Sequence, residues 1–202
     1  MATIFDSIIL KGIKAGEMPA RERSAREWYR KTASEVRSVQ PLKLVKSDPD
    51  RMKSKIRLGD MYLYHYDPKH KATLPYYDRF PLVFPFKKVE KGWLGINMHY
   101  LPLPYRAKLM DALYDLSTSQ KYDEQTRLRL KYDVLNGASK FKYFKPTIHR
   151  YLINKVQSRL VYIHPSEWDI AIMLPVQRFY SENKRITAKT VYKDSRATIK
   201  GL

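Results

Sequence analysis

The residues with chemistry to offer are five histidines, a few carboxylates beside turns, and a large surplus of cations among aromatics. His65, His70, His99, His149 and His164 show neither H-x-x-x-H nor H-E-x-x-H spacing. His65 and His99 fall in two apolar stretches that read as adjacent strands. A hydrogen-bonded core pair explains them better than a zinc site, which needs further ligands at fitting spacing. A metal-dependent nuclease needs clustered carboxylates. Asp67 and Asp78 flank one long loop near Lys69 and Lys71, but their Asp-Pro and Tyr-Asp contexts are those of turns and caps. There is no Walker loop, dinucleotide-binding glycine fingerprint or nucleophile elbow, and there is no cysteine for a thiolate or disulfide. These observations point to a chain that is not an enzyme and takes no cofactor or metal.

The cations are the stronger signal. Lysine and arginine number 39 against 20 acidic side chains, a net charge of +19. A field of that sign selects partners such as nucleic acid or acidic protein faces, and says nothing of the fold. Two segments concentrate it. In the first, Arg23, Arg26, Arg30, Lys31 and Arg37 line one side of an amphipathic helix whose other side is Ala25, Trp28, Tyr29, Thr32 and Val36. In the second, residues 138–159, Lys140, Lys142, Lys145, Arg150, Lys155 and Arg159 occur with no acid, interleaved with Phe141, Tyr143, Phe144 and Tyr151. Cations that neutralise phosphates beside aromatics that stack on bases make a nucleic-acid path. The same aromatics also read as core with the lysines outside, and the two readings are compatible.

The elements that position these residues follow from periodicity and punctuation. Residues 1–57 read as N-terminal helices and a basic linker, 58–180 as one α+β core domain, and 181–202 as a basic C-terminal arm, extended or ordered on assembly. A short amphipathic helix is expected over 3–14. A second runs from the capping box Ser24-Ala-Arg-Glu27 to about Val39. Residues 61–66 alternate as a strand covered on both faces. Leu82–Phe86 is a second strand, bulged or at an edge because of its prolines, and Trp93–Tyr100 a third, with Gly95 marking close backbone approach. Helices follow over 105–116 and 123–135, then one from Pro146 to about Val156, a strand over 160–163 and a short turn at 165–168. Three short curved strands suggest a small antiparallel β core, an SH3-like barrel or a twisted meander, flanked by basic helices. No apolar run approaches the ~20 residues needed to span a bilayer, and the N-terminus lacks the basic start of a signal peptide, so no membrane partner is expected.

Several strings resemble a virion-protein family of T-even-like contractile-tailed phages. They are Gly59-Asp-Met-Tyr-Leu-Tyr-His-Tyr-Asp-Pro-Lys, Leu74-Pro-Tyr-Tyr-Asp-Arg-Phe-Pro-Leu, Gly95-Ile-Asn-Met-His-Tyr-Leu-Pro, Tyr143-Phe-Lys-Pro and Pro165-Ser-Glu-Trp-Asp-Ile-Ala, spread over roughly 24–179. The resemblance implies a non-enzymatic protein of the virion, assembled in the host cytoplasm. Its role would be a DNA end protector and head-completion protein, bound without sequence preference to double-stranded DNA. The alternative is a tail or baseplate subunit docking on acidic neighbours. Either role implies other virion proteins as partners in a symmetric oligomeric assembly.

Overall fold

A computed structural model describes residues 3–18, 22–46, 48–118, 121–138 and 142–201. Two short helices open the chain, α1 (Ile4–Lys14) and α2 (Arg23–Ser34), followed by a single turn, α3 (Pro41–Leu44). Thr3 caps α1 through a reciprocal pair with Asp6, the Thr3 hydroxyl accepting from the Asp6 amide and the Asp6 carboxylate accepting from the Thr3 amide. The expected box at Ser24 does not form. Helix α2 begins two residues earlier, with Glu22 at the cap, so the Ser24 hydroxyl lies inside the first turn. The helix also stops at Ser34 rather than near Val39.

The centre is an antiparallel sheet of six strands. In chain order they are β1 (Met52–Lys53), β2 (Met61–Leu63), β4 (Leu82–Val89), β5 (Gly92–Asn97), β6 (Ile148–Leu152) and β7 (Leu160–Ile163). Their spatial order is β1-β7-β2-β4-β5-β6, so β1 and β6 are open edges. The sheet does not close into a barrel, and the SH3-like expectation is not met. A second sheet, β3-β8-β9, joins β3 (Tyr77–Asp78) to the hairpin of β8 (Phe179–Ser181) and β9 (Lys184–Arg185). With α4 (Leu103–Thr118), α5 (Glu124–Ala138), α6 (Trp168–Ala171) and α7 (Ala188–Gly201), the described residues hold seven α-helices.

The side-chain alternation read in 61–66 is present, although strand β2 itself stops at Leu63. Met61 and Leu63 join Leu82, Phe84, Ile96, Val161 and Ile163 in the larger core, closed by Phe5 and Ile8 of α1, Tyr29 of α2, Leu109 and Leu113 of α4, and Trp168 of α6. Tyr62, Tyr64 and Tyr66 face the other way, onto Val83, Trp93, Tyr151 and Leu160. Burial pushes the Tyr62 phenol up to about 12. All three tyrosines are buried, and Tyr64 packs edge to face on Tyr66, Trp93 and Tyr151 at 5.7 to 6.2 Å.

The proline-bearing strand β4 is central rather than an edge, and it keeps its place by bulging. Pro85 pairs with Gly95 and Lys87 with Leu94, leaving Phe86 as the extra residue. Gly95 is the close approach the sequence suggests, since a Cβ there would lie 2.3 Å from the Val83 side chain.

Two further expectations fail. Residues 142–147 form a 3-10 turn containing Pro146, and the chain then enters strand β6 instead of a helix, pairing with β5 from Ile96↔Ile148 to Gly92↔Leu152. Residues 181–202, expected as an arm either extended or ordered on assembly, instead carry β9 and the 14-residue α7 within the single chain. Val191 and Ser195 of α7 are fully buried, and the Ser195 hydroxyl donates to the Tyr100 carbonyl at 3.0 Å.

Candidate nucleic-acid interface

The arginines of α2 divide by helix face. Arg26 and Arg30 point inward. Arg30 donates to Asp169 at 2.6 Å and to Asp111 at 2.7 Å, while Arg26 sits 3.3 Å from Asp111 and 4.2 Å above the Tyr114 ring. Burial pushes the Asp169 carboxyl up, and Arg30 opposes that shift. Asp111 of α4 faces both of these arginines and shares Arg30 with Asp169. Both arginines are thus engaged by protein carboxylates and tie α2 to α4 and α6. Arg23, Lys31 and Arg37 are exposed, and Arg23 pairs with Glu27 at 3.2 Å along the outer face.

The second segment is spread out rather than gathered on one helix. Lys140 lies outside the described residues, and of Lys142 only the backbone turn is described. Lys145 is exposed. Arg150 is exposed and donates to the Glu90 carbonyl at 2.8 Å, bracing the β4–β5 turn. Lys155 is half-buried, its carbonyl accepting from the Asp67 amide. Arg159 is exposed on the stretch that leads into β7.

Arg159 belongs to a groove of about 580 Å³ where three pieces of chain meet. They are residues 53–56 leaving β1, the tip of the β4–β5 hairpin, and the 153–160 connection from β6 to β7. The lining carries Lys53, Lys55, Lys88, Lys91 and Arg159 and, among the described residues, no carboxylate. Of these five cations only Lys91 has an acidic partner among the described residues, Glu90 at 3.4 Å, with both side chains exposed. Such a pair is worth little in water. The floor is apolar: Ile56, Val89 and Val156 are half-buried over Trp93 and Leu160, and Ile153 stands 62% exposed.

Local geometry fixes this arrangement. Lys91 is held at φ +60°, a left-handed conformation that costs a non-glycine residue on the order of 1 kcal/mol. Gly92 follows because a Cβ there would meet the Tyr151 carbonyl oxygen at 1.8 Å. The 153–160 wall is hydrogen-bonded at four points: Ile153 N–H to the Lys91 carbonyl, Asp67 N–H to the Lys155 carbonyl, Gln157 N–H to the His65 carbonyl, and His65 N–H to the Ser158 hydroxyl. Lys53 and Lys55 fall in the stretch read as a basic linker, and Lys88 and Lys91 fall between two of the expected strands. The signal available was Lys87-Lys-Val-Glu-Lys-Gly92, a hairpin tip with three lysines.

The expected His65–His99 pair does not form, and each ring is engaged elsewhere. His65 stacks on Phe80 at 5.0 Å, while His99, fully buried, donates from Nδ1 to Asp78 at 2.6 Å. Burial lowers the His99 pKa in spite of Asp78. Burial alone would raise the Asp78 carboxyl, but His99 and the Arg178 and Phe80 amides hold it below the usual carboxylate range. Among the described residues no three His, Asp or Glu side chains converge as metal ligands, and no described helix is long and apolar enough to cross a membrane.

Residues 3–195 match the family described as Phage T4 terminal DNA protecting protein. The match spans nearly the whole chain, and the chain belongs to that family. Of the two roles left open by the sequence resemblance, the family is that of the end protector, and nothing in the match supports a tail or baseplate subunit. No curated protein and no solved structure matches the chain.

Proposed function

From membership of the terminal DNA protecting family, we propose that this chain shields the ends of phage DNA by occlusion, and that the lysine-rimmed groove is where it holds them. The protein acts by staying bound, with no turnover of its own. It binds the DNA terminus within the virion, at the head-completion stage, beside other virion proteins in an oligomeric assembly. The observation that carries the reading is the groove's five cations without a carboxylate. Phosphate contacts release counterions whatever the base sequence, so binding is sequence-tolerant and salt-sensitive. Five such contacts correspond to a slope of about −4.5 in log K against log salt, roughly a 500-fold loss between 50 and 200 mM.

The exposed cations Arg23, Lys31, Arg37 and Lys145 add a diffuse field that steers DNA toward the surface. Arg26 and Arg30 support the fold beneath it.

The test is exonuclease digestion of a linear duplex with and without the protein. The wild-type chain leaves the ends intact at low salt. The variant Lys53→Glu, Lys88→Glu, Lys91→Glu, shown to be folded by circular dichroism, leaves them open. Equal protection by the two proteins would remove the groove from the reading.

A further inference from the structure

The groove has a floor that phosphate binding does not require. A duplex presents sugars and phosphates along its flank, and its bases are stacked and paired inside. A site for that surface alone needs a cationic face, and an apolar bed beneath the cations gives it nothing. Here the rim is cationic and the floor is Ile56, Val89, Val156 and Leu160, with the exposed Ile153 standing at the mouth. The fitting ligand is a polyanion that also carries flat apolar surface. A volume of about 580 Å³ falls in the range that encloses small organic ligands, enough for on the order of one or two bases and too little for the body of a duplex.

We propose that the groove receives unpaired nucleotides at a DNA terminus, with their bases against the apolar floor and their phosphates, with those of the adjoining duplex strand, on the Lys53, Lys55, Lys88, Lys91 and Arg159 rim. This rests on the DNA-end reading above and adds to it the form of the end. Unpaired bases are the part of a DNA end that the interior of a genome does not offer. A groove that takes them distinguishes a terminus from the far larger amount of continuous duplex, which lysines alone cannot do. The aromatic beside the floor, Trp93, is 2% exposed, so contact is with aliphatic side chains rather than by ring stacking.

The experiment measures competition binding of the full-length chain to four versions of one duplex at fixed salt. They are blunt, with a two-nucleotide 3′ overhang, with a two-nucleotide 5′ overhang, and with an overhang whose two positions are abasic. The expected result is at least about tenfold tighter binding to one of the base-bearing overhangs than to the blunt end, which burial of roughly 55 Å² of apolar surface at about 25 cal/mol per Å² supplies. The abasic overhang, which keeps the phosphates, is expected to fall back to the blunt value. Ile153→Ser, a change at an exposed position, reduces the overhang preference and leaves the salt slope unchanged. Equal affinity for blunt and overhanging ends, or for abasic and normal overhangs, would overturn the proposal. If blunt ends are still protected in that case, the end-protection reading stands without it. Absence of binding to every version removes both.

Discussion

Two groups of cations in this chain obey opposite rules. Arg26, Arg30 and Arg106 are interior, each held by groups it cannot leave. Arg106 is fully buried and donates to the carbonyls of Leu101, Ile172 and His99 and to the Tyr192 hydroxyl, clasping α4, α6 and α7 together. The groove lysines Lys53, Lys55, Lys88 and Lys91 are exposed and nearly free of acidic neighbours. The difference follows side-chain chemistry. A guanidinium offers five fixed donors that can satisfy several acceptors at once, so it survives burial. An ammonium is a strongly hydrated point charge that keeps its value at a wet rim. High positive charge therefore serves two ends here, and charge density along the sequence does not say which.

The contrast can be broken at either pole. The largest effect is expected at Arg106. Replacing it by leucine strands three carbonyls in the core and costs more than about 4 kcal/mol, read as a lower denaturant midpoint. Arg30→Met leaves Asp169 buried without its cation and costs about 3 kcal/mol. In both variants the DNA salt slope of the folded fraction stays at the wild-type value. Lys88→Glu with Lys91→Glu does the reverse: stability moves by less than about 0.5 kcal/mol while the slope loses about 2 units. A slope that stays put in that variant would erase the distinction between the two groups.

The smallest effect is a pH dependence. Burial holds the His149 imidazole at about 4, below its unfolded value of about 6.5. The unfolded chain therefore takes up the proton first. The stability tied to neutral His149 is full above pH 6.5 and drains away as pH falls toward 4. His99, also lowered by burial, acts in the same direction. His149→Gln is expected to flatten the loss of stability across that window, measured by urea unfolding at several pH values.

Much of the centre was legible. The alternation of Met61, Leu63 and the tyrosines, the proline-driven bulge in β4 and the tight approach at Gly95 all express local rules that tertiary structure left intact. The failures have particular causes. Helix α7 was hidden because one of its inward positions is Ser195, which is accommodated by a hydrogen bond to Tyr100 and breaks the apolar stripe. Residues 148–152 have a pattern short enough to be helix or strand, and pairing with β5 decided it. The groove was least legible of all, because its cations come from three segments far apart in sequence. Among the described residues, Arg159 is the one basic residue singled out from sequence that lines it.

The hydrogen-bonded wall of residues 153–160 bears on how fast the protein can capture an end. Ile153, Lys155, Gln157 and Ser158 are already tied to the β4–β5 turn and to the chain beyond β2, so on the proposed reading this wall needs no ordering when DNA arrives. Encounter then needs only diffusion guided by charge, so the association rate should fall with salt while the dissociation rate changes far less. An end protector competes in time with any nuclease that reaches the terminus, and a groove built in advance favours the faster arrival.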